Sequence, residues 1–449
     1  MKRIYPFIAF LFFSYFSFAQ YENFDLSKYK LPEIKRHQLD FDFNTNGSFQ
    51  NSTYYYDNDM GEKSEREDNR VFGGGEFGYS FYQNTDKFQI VGSAQSYLNY
   101  SKNKNKNYYS VDTEKSDLTS NISASYDFKY FMGEKQWFLT AVPYSYVGYY
   151  KRKDFENDTE SISKRFSGDL GIGAGIGRIE RVQDYRHGIL LLQELEKRGV
   201  AKRELSEAEV QTFSALISEL KNKRVFDSRK RKQKDLETIH EFLSEEGIVD
   251  DVMDMNYFVG LEDIWVFGAL QTRESGKQLQ LTFTPGYTIN RGTNDVDDSK
   301  LEYVQITSSV KYGIRKPVSI KWQTNYNFGV EYHYTDKLTE ENYSLGASKH
   351  YSFVFTNAEI GFYPNTRTRF SLQGTFNISN SSNDSLFNDE RYSSRFVLNS
   401  SAYYYISERL RLQGSLILIA DRNGIFNDEV KNSKNNNINY NLTLNYAIF

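Results

Sequence analysis

The 449-residue sequence has no cysteine, only 6 prolines, and, beyond its first 18 residues, no long apolar run. Without cysteine there is neither a disulfide scaffold nor a thiolate metal site. A mean hydropathy of −0.66 excludes a bundle of apolar spanning helices. The charges, 55 basic against 59 acidic for a net of −4, give no basic field suited to nucleic acid. What the chain has in quantity is aromatics, 36 Tyr and 35 Phe. Disordered chains lack these residues, so long disorder is excluded as well.

Residues 1–19 read as a secretory signal. Lys2 and Arg3 precede an apolar stretch from Ile4 to Phe18, and Ser17-Phe18-Ala19 is a small-x-small cleavage site before Gln20. The stretch is shorter than a spanning helix requires. An exported chain without a spanning helix is periplasmic, secreted or an outer-membrane barrel.

Period-two patterning decides among these. From Ile320 to Tyr334 one face carries Trp322, Tyr326, Phe328, Val330 and Tyr332, and the other Gln323, Asn325, Asn327 and Glu331. Successive strand side chains point to opposite faces, so one face is apolar and the other wet. The pattern recurs in 14 segments, from about 37–56 to 435–449. Such segments are longer than the strands of a soluble sandwich. Connections after the even-numbered strands are short and those after odd-numbered strands longer and polar, as in barrels with short periplasmic turns and long outer loops. The expected fold is therefore mainly β: a transmembrane antiparallel barrel of about 14 strands.

The one connection that breaks the order, between strands 6 and 7, spans 178–276. Its period changes to 3.6. Val182, Tyr185, Ile189, Leu192 and Leu195 share a helix face, Gly199 stands at a C-terminal cap, and Ser206 with Glu209 forms a capping box. Val210 to Leu220, Leu236 to Leu243 and Met255 to Phe267 carry further apolar stripes, which predicts three or four packed helices at the barrel mouth. The domain reading is a signal at 1–19, a periplasmic segment at 20–36, strands 1–6 at 37–177, the helical insert at 178–276 and strands 7–14 at 277–449.

Three groups are candidate functional residues. Asp40 and Asp42 on strand 1 oppose Arg369, Arg409 and Arg411 on strands 11 and 13, and would either set a transverse field across a polar lumen or pair to fill it. Gly171, Gly173, Gly175 and Gly177 fail the spacing of a nucleotide loop and instead leave one strand face bare, which suggests room for insert or N-terminal residues. Arg229, Lys230, Arg231, Lys232 and Lys234 are either a solvated helix face or a docking patch for an acidic periplasmic partner, lipid phosphates or cell-wall polymer. The histidines form no metal-ligand spacing. His333 and Glu331 share the wet face, and the alternation predicts that Ser352 and His350 on the next strand face the same way. That grouping is too loose for catalysis, so no enzyme, cofactor or metal is expected.

Ser17-Phe18-Ala19-Gln20, the aromatic alternation and the ending Asn439-Tyr440-Asn441-Leu442-Thr443-Leu444-Asn445-Tyr446-Ala447-Ile448-Phe449 resemble outer-membrane β-barrel proteins of Bacteroidota-type envelopes. The terminal Phe is similar to the signal such barrels present to their insertion machinery, although Phe449 is out of phase with the apolar face. The resemblance implies residence in outer-membrane lipid. The expected function is a channel for small polar or amphipathic solutes, its inner mouth gated by the insert. The alternative is an envelope scaffold that anchors the insert for a periplasmic partner.

Overall fold

In the computed structural model, residues 24–446 are described apart from 56–62, 108–109, 134–135, 223–227, 253, 269–271, 295–296, 342–348, 383–390, 408–409 and 426–427. The signal segment and Phe449 lie outside the described residues. The strands are β1 (Ile34–Tyr55), β2 (Lys63–Asn84), β3 (Phe88–Asn107), β4 (Ser110–Met132), β5 (Trp137–Asp154), β6 (Thr159–Arg181) and β7 (Glu274–Thr293). They continue as β8 (Asp298–Pro317), β9 (Trp322–Glu341), β10 (His350–Phe362), β11 (Thr368–Ser382), β12 (Arg391–Tyr405), β13 (Leu410–Ile425) and β14 (Asp428–Tyr446). All 14 form one antiparallel sheet in sequence order. β1 and β14 share no hydrogen-bonded ladder among the described residues.

The alternation in the sequence sets the two faces of this sheet, and burial is inverted relative to a water-soluble protein. On β7, Leu281 is 52% exposed while Thr288, on the other face, is 1% exposed. On β9, Phe328 is exposed and Gln323 buried. Large apolar side chains stand outward on strand after strand, far beyond the isolated patches a soluble monomer shows. The difference from the sequence reading lies at the ends away from the insert. Strands run up to 23 residues, so much of the polar sequence expected as long loops is strand. Polar residues tolerate extension there because the hairpins pair their own backbones.

Between β6 and β7 lie four helices, α1 (Gln183–Lys197), α2 (Glu207–Asn222), α3 (Ser228–Glu245) and α4 (Met255–Gly268). β6 continues to Arg181 and β7 starts at Glu274, so the insert is shorter than 178–276 at both ends. Its local signals are realised. Gly199 and Gly247 adopt φ of +71° and +66°, conformations open to glycine. The Ser206 amide donates to Glu209 Oε2 at 2.7 Å, and the Glu209 amide donates back to Ser206 Oγ at 3.4 Å. The predicted stripes meet in one core that includes Tyr185, Ile189, Leu192, Phe213, Ile217, Leu236, Ile239 and Leu261. Met255 is the exception, exposed at the start of α4.

This core also takes in the N-terminal segment. Leu26, in a 3-10 turn at Leu26–Lys28, is buried with Tyr29 and Leu31 against the helices. The Tyr29 ring stacks on Tyr185 with centroids 5.2 Å apart.

The insert also shows that the sheet is curled. α1 bonds to β1 through Asp184 and Arg36, and α4 touches β12 through Phe267 and Tyr405. α1 and α4 are themselves in contact, with His187 stacked on Trp265. In a flat sheet β1 and β12 would stand about 50 Å apart at the usual strand spacing of roughly 4.8 Å. One bundle of helices about 20–27 Å long bridges them, so the sheet wraps with its polar face inward.

Candidate functional site: the inner face and its helical cap

The short turns place their residues against the insert, so chemistry collects at that rim. Asp184 in the first turn of α1 is fully buried. Its carboxylate accepts from Arg36 Nη2 of β1 at 3.0 Å, Lys221 Nζ of α2 at 2.8 Å and Ser218 Oγ at 2.6 Å. Tyr29 Oη lies 3.2 Å from Ser218 Oγ, which brings the N-terminal segment into the same network. Burial alone would raise the Asp184 pKa; the charges of Lys221 and Arg36 and the hydrogen bonds outweigh it and hold the carboxyl well below the usual range.

A second cluster surrounds Tyr363 in the β10–β11 turn. The guanidinium carbons of Arg273, Arg369 and Arg186 lie 4.7, 5.5 and 5.6 Å from its ring centroid. Arg186 Nε donates to the Ile320 carbonyl at 2.8 Å, and Arg273 Nη2 donates to those of Ser319 and Trp322 at 2.5 and 2.8 Å. These bonds tie both ends of the insert to the β8–β9 turn. Arg186 is 1% and Arg273 0% exposed. Arg186 Nη2 and Arg273 Nε and Nη1 have no hydrogen-bond partner among the described residues. The negative face of the Tyr363 ring is what stabilises this charge. Burial, and then the neighbouring Arg273 charge, pull the Arg186 pKa down to about 9; burial lowers that of Arg273 to about 10. Further along the rim, Asp263 of α4 pairs with Arg367, whose guanidinium sits 4.3 Å from the Phe267 centroid. The insert is thus held from β1 round to β12 by ion pairs, carbonyl bonds and rings.

Sequence-predicted residues fall around this rim in different ways. Arg369 Nη2 pairs with Glu359 of the adjacent β10 at 2.9 Å. Arg411 Nη1 contacts Tyr405 Oη at 3.4 Å. Asp40 and Asp42 are exposed on the edge strand β1, where Asp40 accepts from Gln38. Arg409 lies outside the described residues.

The glycine run meets neighbouring strands. A Cβ on Gly173 would collide with the Leu281 carbonyl oxygen of β7, and one on Gly175 with the Phe138 ring of β5. Gly171 faces Thr284 and Val142, and Gly177, at φ +90°, faces the Lys277 carbonyl. The space left bare is therefore taken up by β5 and β7, where insert or N-terminal residues were expected.

In the basic run, Arg231 Nη2 donates to the Leu220 and Lys221 carbonyls at 3.1 Å, and Lys232 pairs with Glu262 of α4 at 2.6 Å. These two side chains hold the insert together. Lys234 is exposed; the side chains of Arg229 and Lys230 lie outside the described ones.

The register corrects one expectation. His333 is opposite Tyr351, while Ser352 is opposite Tyr332 and His350 opposite Tyr334. Residues directly opposite share a face, so Ser352 and His350 stand on the outer face, away from His333 and Glu331. The latter two do meet, His333 Nε2 lying 3.3 Å from Glu331 Oε2. The Asp184 hub and the Tyr363 cluster were not anticipated. Their partners lie in distant segments, and the local signal is Asp184 and Arg186 in the first turn of α1, next to its apolar stripe.

No family model and no curated protein matches the chain. Among solved structures, a bacterial polysaccharide outer-membrane secretin is 6% identical, with 93% of this chain and 100% of that one covered and a TM-score of 0.29. The transport unit of the autotransporter AIDA-I from Escherichia coli is 8% identical, covering 95% and 93%, at a TM-score of 0.27. Pseudomonas aeruginosa OpdQ is 8% identical, covering 92% and 98%, at 0.20. The fold assignment rests instead on strand order, register and the inverted burial.

Proposed function

We propose that this chain is an outer-membrane channel for small polar or amphipathic solutes, with the helical insert seated as a plug in its inner mouth. In this reading β1 closes on β14 to complete the barrel, the apolar outer face meets lipid, and both termini and the insert are periplasmic. The observation that carries it is the inverted burial, clearest from β7 to β11, where apolar residues are exposed on the outside and polar residues lie within. Such a face is unstable in water and at home in a bilayer. The rim contacts from β1 to β12 support an insert seated across that mouth.

Planar-bilayer recording tests this. The full chain is expected to show low or intermittent conductance, and a chain lacking 182–273 a larger, steadier one. Silence from both proteins, each inserted and folded, overturns the reading.

A further inference from the structure

We infer that the inner face of β10 is a binding track for neutral oligosaccharides; this rests on the channel reading and names its solute class. Tyr351, Phe353 and Phe355 occupy successive inward positions on β10, between flanking strands β9 and β11 whose inward positions are polar residues and glycine. Their rings run in a near-parallel series, 6.1 Å and 16° between the first two and 5.6 Å and 29° between the second two. At these separations rings are offset, so each leaves part of its face uncovered. The series is accommodated at Gly329, directly opposite Phe355, where a Cβ would collide with the Phe355 ring.

Polar groups border the rings on both sides. Across β9 stand His333 and Glu331, and across β11 Ser379 and Asn377. Glu331 is paired with Lys311 at 2.8 Å, so the border is balanced in charge. Three offset aromatic faces between hydrogen-bonding edges suit a solute that is itself two-sided, with apolar C–H faces and a rim of hydroxyls. A saccharide ring has that character. A simple ion leaves the rings unused, and a planar aromatic solute leaves the borders unused. A charged sugar gains nothing from a border already neutralised.

The test is calorimetric titration of the full chain, in a detergent without a sugar headgroup, with maltohexaose and cellohexaose, alongside current recordings with the same sugars. Binding of at least one sugar is expected, weakened about tenfold by Phe353→Ala or Phe355→Ala and preserved by Phe353→Tyr. Heat-dependent gel migration checks that each variant is folded. Conductance without sugar binding overturns the track and leaves the channel standing. Sugar binding without conductance overturns the channel and keeps the track as a binding face. Tighter binding of tryptophan amide than of either sugar assigns the rings to aromatic solutes and also overturns the proposal.

Discussion

Arg36 on the first strand donates to Asp184 at the start of the first helix across 3.0 Å, joining positions 148 apart in sequence. Lys221 reaches the same carboxylate from the second helix. One buried charge therefore fixes the seating of the insert on the barrel and the packing of its own helices.

Asp184→Asn is expected to loosen the insert. It leaves Lys221 buried without its counter-charge, a change that typically costs about 3–5 kcal/mol. Trypsin should then cut faster at Lys197, Arg198, Lys202 and Arg203, which link α1 and α2. The native carboxyl is held below its unfolded value, so its contribution is complete above about pH 4 and lost only on stronger acidification. Cleavage of the wild type should show no step assignable to Asp184 between pH 8 and 5.

His187 gives the opposite behaviour near neutrality. It is fully buried, stacked on Trp265, with Nε2 2.9 Å from the Ile264 carbonyl oxygen. Burial, and then the Lys221 charge, push its pKa well below the ordinary histidine value. The unfolded state then binds the extra proton first, so stability falls as pH drops below about 6.5. Thermal melts followed by Trp265 fluorescence, with Trp137 and Trp322 replaced by Phe, should show this decline. His187→Gln should flatten it.

Tyr363 can be dissected by ring and hydroxyl. Tyr363→Ala removes the surface that stabilises three guanidinium groups and should weaken insert docking by about 3 kcal/mol or more. Tyr363→Phe keeps the ring and should stay close to wild type. The readout is the open fraction of the proposed channel in bilayer recordings: raised by Ala, unchanged by Phe. Equal effects of the two substitutions would assign the role to the hydroxyl.

Glycines within strands should split by surroundings. Gly173→Val drives a side chain into the β7 backbone and should prevent β6–β7 pairing, with loss of the heat-dependent shift in gel mobility. Gly374→Ala enters open space, with nothing within 4 Å of the added carbon, and should assemble normally.

The sheet was largely legible because its signal is local and repeats every second residue. Phe328 and Gln323 had to face opposite ways whatever lay beside them. The helices were legible for the same reason, through the Tyr185 to Leu195 stripe and the Ser206–Glu209 box. Loop lengths were less legible, since polar residues serve equally in a loop or in a protruding hairpin.

Side-chain meetings across strands were not readable. His350 and Ser352 share a face with Tyr332 and Tyr334 because of the β9–β10 register, which no periodicity reveals. Arg231 and Lys232 look like a docking patch in one dimension and act as internal ties in three. The sequence by itself determined an inverted, aromatic, antiparallel sheet interrupted by helices, because alternation and helical period are properties of neighbouring residues. Only the tertiary structure decided that Asp184, Arg186, Arg273 and Tyr363 converge at one rim and that three rings of β10 line up inside. Those depend on how far the sheet curls and where its turns bring distant segments together.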